Sequence, residues 1–577
     1  MALEHIADRV LETDVLVMGG GIAGCCVAAK AAEHGLNVTL AEKSKTDRAG
    51  NAAMGTNYYV VGAKPREGLT ALELVKQWTA TLHQVPTKTG LPEMGRERLS
   101  DLNILYEIWD KGLWAVEELE KLGVPMKWPD GEYRYVKDQL RTGKFDLTLS
   151  ILWTNVKPIM AAAVKKRGVN VLDRTMVVDL LNSNGKVVGA TAVNTRTGQF
   201  IVIKAKAVVI ATGLFSRIYN GDMPQTWNYK FHYHWNPATV SGDGYAAAYR
   251  VGAELANMNM TGHGYIVDEL AMGAGLLGRT DGVPGKILTW RGEEVTMTNA
   301  RTSISKLAEM EQKGRTPLYM SGEDLPDDYH KRVEVALRDM RLASLKLAED
   351  RGFNPRTHRY EISPIAPFTF YLAPGVNIDR DYKSLLDGVY TVGDCAAGLH
   401  GAYMAAPCGF ILGENLPSIT KNAGEPVIDE AQVESQKQAV LAPMAVKDGT
   451  EPMELECAIR YICDRYVTMF KSEGKLREGL RRLGSLRREF LPRLMAKNPH
   501  YLMRCLEVRN LMDLAEVHIN ACLERKETRG NYIRLDYPEM DRTWDNMITI
   551  QRLENGKPVV EKRLAPDLEP EYAKEEK

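Results

Sequence analysis

The N-terminal stretch Asp14-Val-Leu-Val-Met-Gly-Gly-Gly-Ile-Ala-Gly24 decides how the rest of the chain is read. Asp14–Met18 is a short apolar run and reads as a buried parallel strand. Gly19, Gly21 and Gly24 follow in the G-x-G-x-x-G spacing, and an Ala- and Val-rich segment continues as a helix to Gly35. Val38-Thr-Leu-Ala-Glu42 then reads as a second strand ending in an acid. Each position has a physical task. Gly19 permits a tight turn, Gly21 lets backbone approach a pyrophosphate, and Gly24 lets helix and strand pack closely. The helix N-terminus faces phosphate charge, and Glu42 can accept from ribose hydroxyls. Strand, turn, helix and an acid roughly 20 residues on agree, which favours a dinucleotide site over a glycine-rich turn in an unrelated α/β protein. Cys25 and Cys26 lie on this helix and read as packing residues.

Two later segments extend the pattern. Residues 171–212 read as a run of strands with a turn at Asn182-Ser-Asn-Gly185, closing with Ala207-Val-Val-Ile-Ala-Thr-Gly213. Gly388-Val-Tyr-Thr-Val-Gly-Asp394 is another strand, followed by small residues and a helix running through Asn415 and Leu416. The composition is that of a globular protein, 44% hydrophobic and 26% charged. With 74 basic and 75 acidic residues, no global field attracts nucleic acid or a membrane surface. The N-terminus lacks a signal peptide pattern, and no apolar run approaches the ~20 residues of a membrane helix. Eight cysteines in 577 residues are too few for a disulfide scaffold, and none forms a CxxC pair. A reducing cytoplasm is expected, and no metal site.

The three segments resemble the FAD-binding set of the fumarate reductase/succinate dehydrogenase flavoprotein superfamily, over residues 12 to about 550. That superfamily includes L-aspartate oxidase and the alpha subunit of dissimilatory adenylylsulfate reductase. The resemblance implies FAD, with Gly19, Gly21 and Gly24 at the pyrophosphate and Glu42 at the adenosine ribose. It places Asp394 at the ribityl or pyrophosphate region and the N-terminus of the following helix at the flavin C2 carbonyl. It extends the cofactor set to Ile22, Ala23, Lys43, Asn51, Gly55, Ala211, Thr212, Gly213, Asp243, Gly393, Asn415 and Leu416. Ser241-Gly-Asp-Gly-Tyr through Glu254 is similar to the helix leading into the family's capping domain. His263 falls near the family's substrate-side His, and Asn299-Ala-Arg301 matches the stretch that holds its catalytic Arg.

Several departures redirect the substrate. Covalent members attach FAD through a His after the second strand, but no His stands between His34 and His83, so FAD is expected to be non-covalent. Dicarboxylate enzymes carry a His where this chain has Phe370, and an Arg in the stretch that is here Tyr403-Met-Ala-Ala-Pro-Cys408. Losing a charge-assisted carboxylate partner costs several kcal/mol in a buried site, which argues against fumarate or succinate. Glu524-Arg-Lys-Glu-Thr-Arg529 and the Trp235-Asn236 pair look most like the adenylylsulfate reductase alpha subunit, in which a Trp near this point lines the flavin's substrate face. The family's alpha chain partners a ferredoxin-like protein with two [4Fe–4S] clusters. This chain has no cluster cysteines, which is consistent with a separate iron–sulfur carrier and a hetero-oligomer.

The expected fold is α/β. A discontinuous Rossmann-like FAD-binding domain (1–245 and 366–420) carries an inserted α+β capping domain (246–365). A helical domain and C-terminal extension follow (421–577). Arg301, His263 and Trp235 are the expected catalytic residues, with core packing or a surface cation as the alternatives. Leu476, Leu480, Leu483 and Leu486 stand at helical spacing opposite a basic face, which is either solvated or a dock for an acidic partner. Three functions stay open: an adenylylsulfate-reductase-like enzyme, a flavin ene-reductase acting on an activated C=C bond, and a non-catalytic electron-transfer subunit.

Overall fold

Runs of Val, Ile and Ala with few polar interruptions make strands that tolerate burial on both faces. In the computed structural model they build the central sheet from β1 (Arg9–Met18), β2 (Val38–Glu42), β3 (Asn170–Asp173), β4 (Thr175–Ser183), β5 (Lys186–Asn194), β6 (Phe200–Ile210) and β7 (Val389–Thr391). The structure describes residues 3–54, 70–80, 100–127, 129–131, 133, 135–137, 149–151, 155–219, 237–260, 265–270, 272–273, 286–295, 309–310, 313–327, 330, 342–354, 356–364, 374–529, 532–569 and 572.

The sheet order is β3-β2-β1-β6-β5-β4, and β7 also pairs with β6. Strands β1, β2, β3, β6 and β7 run parallel, whereas β5 is antiparallel to both β4 and β6. The free edge of β6 is shared: β5 takes Phe200–Lys204 and β7 takes Val208–Ile210. Because side chains alternate, β1 serves two cores. Val15 and Val17 face helices α1 (Ile22–Glu33), α2 (Val156–Lys166) and the later α4; Leu16 and Met18 face α3 (Asp243–Arg250). Here α4 is Ala402–Asn422, which packs along α1.

Between β6 and β7 lies a five-stranded antiparallel sheet built from residues 265–364. It has its own core, including Val267, Ile287, Leu318, Met320 and Ile362. The chain leaves and returns through adjacent short strands, Leu255–Ala256 and Gly375–Val376, which pair antiparallel. An insertion entered and left at one point leaves the ladder of the parent sheet intact.

After α4 come helices Glu430–Ala445, α5 (Pro452–Tyr466), Glu473–Glu489 and α6 (Pro499–Glu524). On Glu473–Glu489, Leu476 and Leu483 are buried. Three of its arginines are paired along the helix, Arg477 with Glu473 and Arg481 and Arg482 with Glu478, while Arg487 reaches Asp513 and Glu516 across the helix interface. The C-terminal extension is a hairpin, Met547–Glu554 with Lys557–Leu564, which joins Leu255–Ala256. Asn555 and Gly556 both adopt positive φ, as a two-residue Asn-Gly turn requires.

A buried ion network ties the helices to the sheet. Arg217, just beyond β6, donates two hydrogen bonds to Glu456 of α5 (2.9 and 2.8 Å) and one to Glu507 of α6 (2.7 Å). Lys43 lies 2.7 Å from Glu507 and 2.8 Å from Asp243. Burial alone would raise the Glu507 carboxyl, but the Lys43 and Arg217 cations outweigh it and hold it below the usual range. Removing one partner from such a set leaves charge uncompensated. Arg217→Met is therefore expected to lower urea-unfolding stability by about 3 kcal/mol.

Candidate dinucleotide and active site

The site begins where parallel strands end together. Met18, Ile210 and Thr391 are in register across β1, β6 and β7. The turns that follow, at Gly19, Ala211 and Val392–Gly393, therefore lie side by side. Cross-bonds carry the alignment one residue further: Ala211 N–H donates to Met18 O (2.8 Å) and Val392 N–H to Ile210 O (3.0 Å).

The glycine loop is fitted tightly beneath and openly above. Gly19 has φ +100°, and a Cβ there would sit 2.6 Å from Ala211 O; on Gly24 it would sit 2.0 Å from Gly19 O. Any side chain at either position displaces backbone. Gly21 differs, since a Cβ would meet only Ala211 O at 3.9 Å. Protein packing does not demand glycine at 21, whereas an approaching pyrophosphate does. Gly21 is the N-cap of α1, so the unsatisfied first-turn amides of Ile22 and Ala23 open on the same side.

Glu42 ends β2 as expected, and its carboxylate also holds the loop. Oε2 accepts from Gly20 N–H (2.8 Å), and Oε1 accepts from Ser44 N–H (2.8 Å) and Ser44 Oγ (2.7 Å). Oε2 keeps acceptor capacity for a ribose hydroxyl. Asn51 lies on the short turn Asn51–Met54 after β2, and its buried Oδ1 has no hydrogen-bond partner among the described residues. A buried acceptor without a donor, beside a loop whose Gly21 is open, fits a bound ligand's hydroxyl or amide.

Asp394 is part-buried, and its Oδ1 accepts from Gly401 N–H (2.7 Å) at the N-cap of α4. Tyr245 OH donates to the Asp394 carbonyl (2.9 Å). Burial pushes the Asp394 carboxyl up to about 6, against the opposing Gly401 amide. Cys408 is fully buried, and its Sγ accepts from Gly393 N–H (3.2 Å).

Other expected residues go elsewhere. Lys43 and Asp243 face each other inside the ion network, and Asp243 Oδ1 accepts from Ser241 (2.9 Å) and Asn510 (2.9 Å). Thr212 Oγ1 accepts from Gly244 N–H (3.2 Å), fixing the start of α3, while Gly213 turns with φ +73° beside it. Asn415 is exposed and Leu416 is in the core, ~20 Å along α4 from its N-terminus at 1.5 Å per residue. The structure does not bring them to the glycine loop. Gly55, Trp235, His263, Arg301 and Phe370 lie outside the described residues. Sequence reasoning missed Lys157, which is buried on α2 and donates to Gly20 O and to Cys25 Sγ (3.2 Å). No local motif marks it, because its partners stand more than 130 positions away in the chain.

The FAD binding domain family matches residues 14–409, and the fumarate reductase flavoprotein C-terminal family matches residues 458–569. The chain is an FAD-dependent oxidoreductase and belongs to the FAD binding domain family of flavoproteins. It is similar to one chain of the fumarate reductase (CoM/CoB) of Methanothermobacter marburgensis, 24% identical over 94% of this chain and 98% of that one. It is 27% identical to the L-aspartate oxidase of Yersinia pestis, over 93% and 97% of the two chains. Its fold matches adenylylsulfate reductase of Archaeoglobus fulgidus with a TM-score of 0.81 and 24% identity, covering 97% of this chain and 96% of that one.

The raised Asp394 carboxyl has a pH signature. An acid whose folded pKa is raised adds stability below its unfolded value of 3.8 and loses it as pH climbs through 6. Apoprotein with Asp394→Asn should therefore match wild type near pH 3 and exceed it by about 3 kcal/mol above pH 7, read by chemical unfolding at each pH.

Proposed function

We propose that this flavoprotein carries out two-electron reduction or oxidation of a small substrate at flavin N5, exchanging electrons through an iron–sulfur partner as an adenylylsulfate-reductase-alpha-like subunit. Bound FAD supplies the two-electron chemistry and can pass electrons singly. The chain's own residues bind it, orient the substrate against it and exclude water. In this reading Arg301 holds the reacting oxygen or donates its proton, His263 binds substrate, and Trp235 lines the flavin face.

The observation that carries the reading is the start of α4. The expected anchor of a dicarboxylate enzyme is an Arg in this stretch, but Tyr403–Cys408 contributes Tyr, Met, Ala, Ala, Pro and Cys, all buried. No cation can enter there without expelling core side chains. A carboxylate substrate would lose a charge-assisted partner. All eight cysteines are free thiols, seven of them buried one by one in packing. That supports clusters on another chain and a cytoplasmic setting. Among the described residues no helix is long and apolar enough to cross a membrane. The separate core of residues 267–362 supports a cap (246–365) inserted between the two parts of the FAD domain.

Two measurements test this. Acid precipitation should release intact FAD into the supernatant, and flavin retained on a tryptic peptide would contradict non-covalent binding. Dithionite-reduced protein should then be reoxidised anaerobically by adenylylsulfate and not by fumarate. Reoxidation by an enoate alone would favour the ene-reductase. Arg301→Ala should slow the productive acceptor at least ~100-fold, the low end of what a positioned proton donor contributes. Unchanged turnover with every acceptor would favour the electron-transfer subunit.

A further inference from the structure

Lys157 is 1% exposed and is the second residue of α2. Its ammonium donates to the carbonyl oxygen of Gly20 and to Cys25 Sγ (3.2 Å), while the Cys25 thiol itself reaches Gly20 O at 3.5 Å. Among the described residues no carboxylate pairs with it. The other buried lysines of the FAD domain are treated differently. Lys30 has Glu118 and Glu414 at 3.0 and 2.8 Å, and Lys43 has Asp243 and Glu507. Lys471, buried in the helical region, faces the Tyr532 ring at 5.1 Å. Among these buried lysines, Lys157 alone spends its charge on the dinucleotide loop.

We propose that Lys157 is a built-in cation of the pyrophosphate site, positioning the Gly20–Gly21 peptide and supplying charge that the bound dinucleotide neutralises. The geometry gives the first part. Gly20 is gripped at both ends, its N–H by Glu42 Oε2 (2.8 Å) and its carbonyl by Lys157. In a trans peptide the carbonyl of one residue and the N–H of the next point in opposite directions. With Gly20 O turned to Lys157, the Gly21 N–H points away from it, with the first-turn amides of α1 that a phosphate accepts from. Charge gives the second part. An ammonium removed from water without a counter-ion is costly, and a pyrophosphate above the same loop is the missing anion. The cost in the free protein is then returned on binding, which couples Lys157 to cofactor affinity.

This role predicts opposite signs for the free and bound protein. Lys157→Met and Lys157→Gln remove the charge and keep most of the volume; Gln also keeps a donor for Gly20 O. Both apoproteins should melt at or above the wild-type temperature. Both should bind FAD and ADP at least tenfold more weakly in fluorescence and calorimetric titrations, with adenosine affinity unchanged. Lys157→Arg should retain most of the ADP affinity. Unchanged ADP and FAD affinity in Met and Gln would overturn the proposal. So would apoproteins that melt well below wild type or fail to fold, because that marks a structural lysine. Wild-type protein that binds neither FAD nor ADP would instead count against the flavoprotein assignment.

Discussion

The constraint on which the site depends is the shared register of three strand ends. Hydrogen bonding places Met18, Ile210 and Thr391 level with one another across β1, β6 and β7. The glycine loop, Ala211 and the Val392–Gly393 turn each follow one of these three residues directly. A slip of one residue in either ladder would exchange the faces of a whole strand between two separate cores, so burial itself enforces the alignment. The glycine loop inherits this precision. Gly19 lies against Ala211 and Gly24 against Gly19, leaving no room for drift.

Buried charge is used in two ways around that frame. In the network of Lys43, Arg217, Asp243, Glu456 and Glu507, opposite charges satisfy one another and join α5 and α6 to the sheet. Such a set is weak evidence for stability as a whole, yet each member is hard to remove singly. Lys157 is held by a carbonyl and a thiol instead, at the only loop in the described fold that presents a glycine turn to a helix N-terminus in the dinucleotide pattern. The difference follows from geometry, because acids reach Lys43 from two helices whereas Lys157 is enclosed by α1 and the loop itself.

Much of the fold was legible because its signals are local. The strand–glycine–helix unit, the closing strand before Ala211 and the strand ending at Gly393 each carry their evidence within a dozen residues. The C-terminal hairpin carries such evidence too, in Asn555-Gly556 between alternating residues, within the stretch read from the sequence as a C-terminal extension. The site was legible in part. Gly19, Gly24 and Glu42 stand where the motif requires. Lys43 and Asp243 pair with each other inside the ion network, and Asn415 and Leu416 stand about 20 Å along α4 from the glycine loop's end of that helix, because a helix carries each later residue 1.5 Å further from its N-terminus.

The amino-acid sequence by itself determined the dinucleotide-binding α/β class and the lack of cluster cysteines, because these follow from turn chemistry, period and composition; FAD and the two-part cofactor domain were implied by the family resemblance. Only the tertiary structure decided which distant groups meet. It set Lys157 beneath a loop 137 positions earlier, brought Glu507 to Lys43 and paired Asp394 with the amide of Gly401, the N-cap of α4. Those pairings are selected by the cost of burying an unpartnered charge or amide, a cost that is defined only once folding has removed the water.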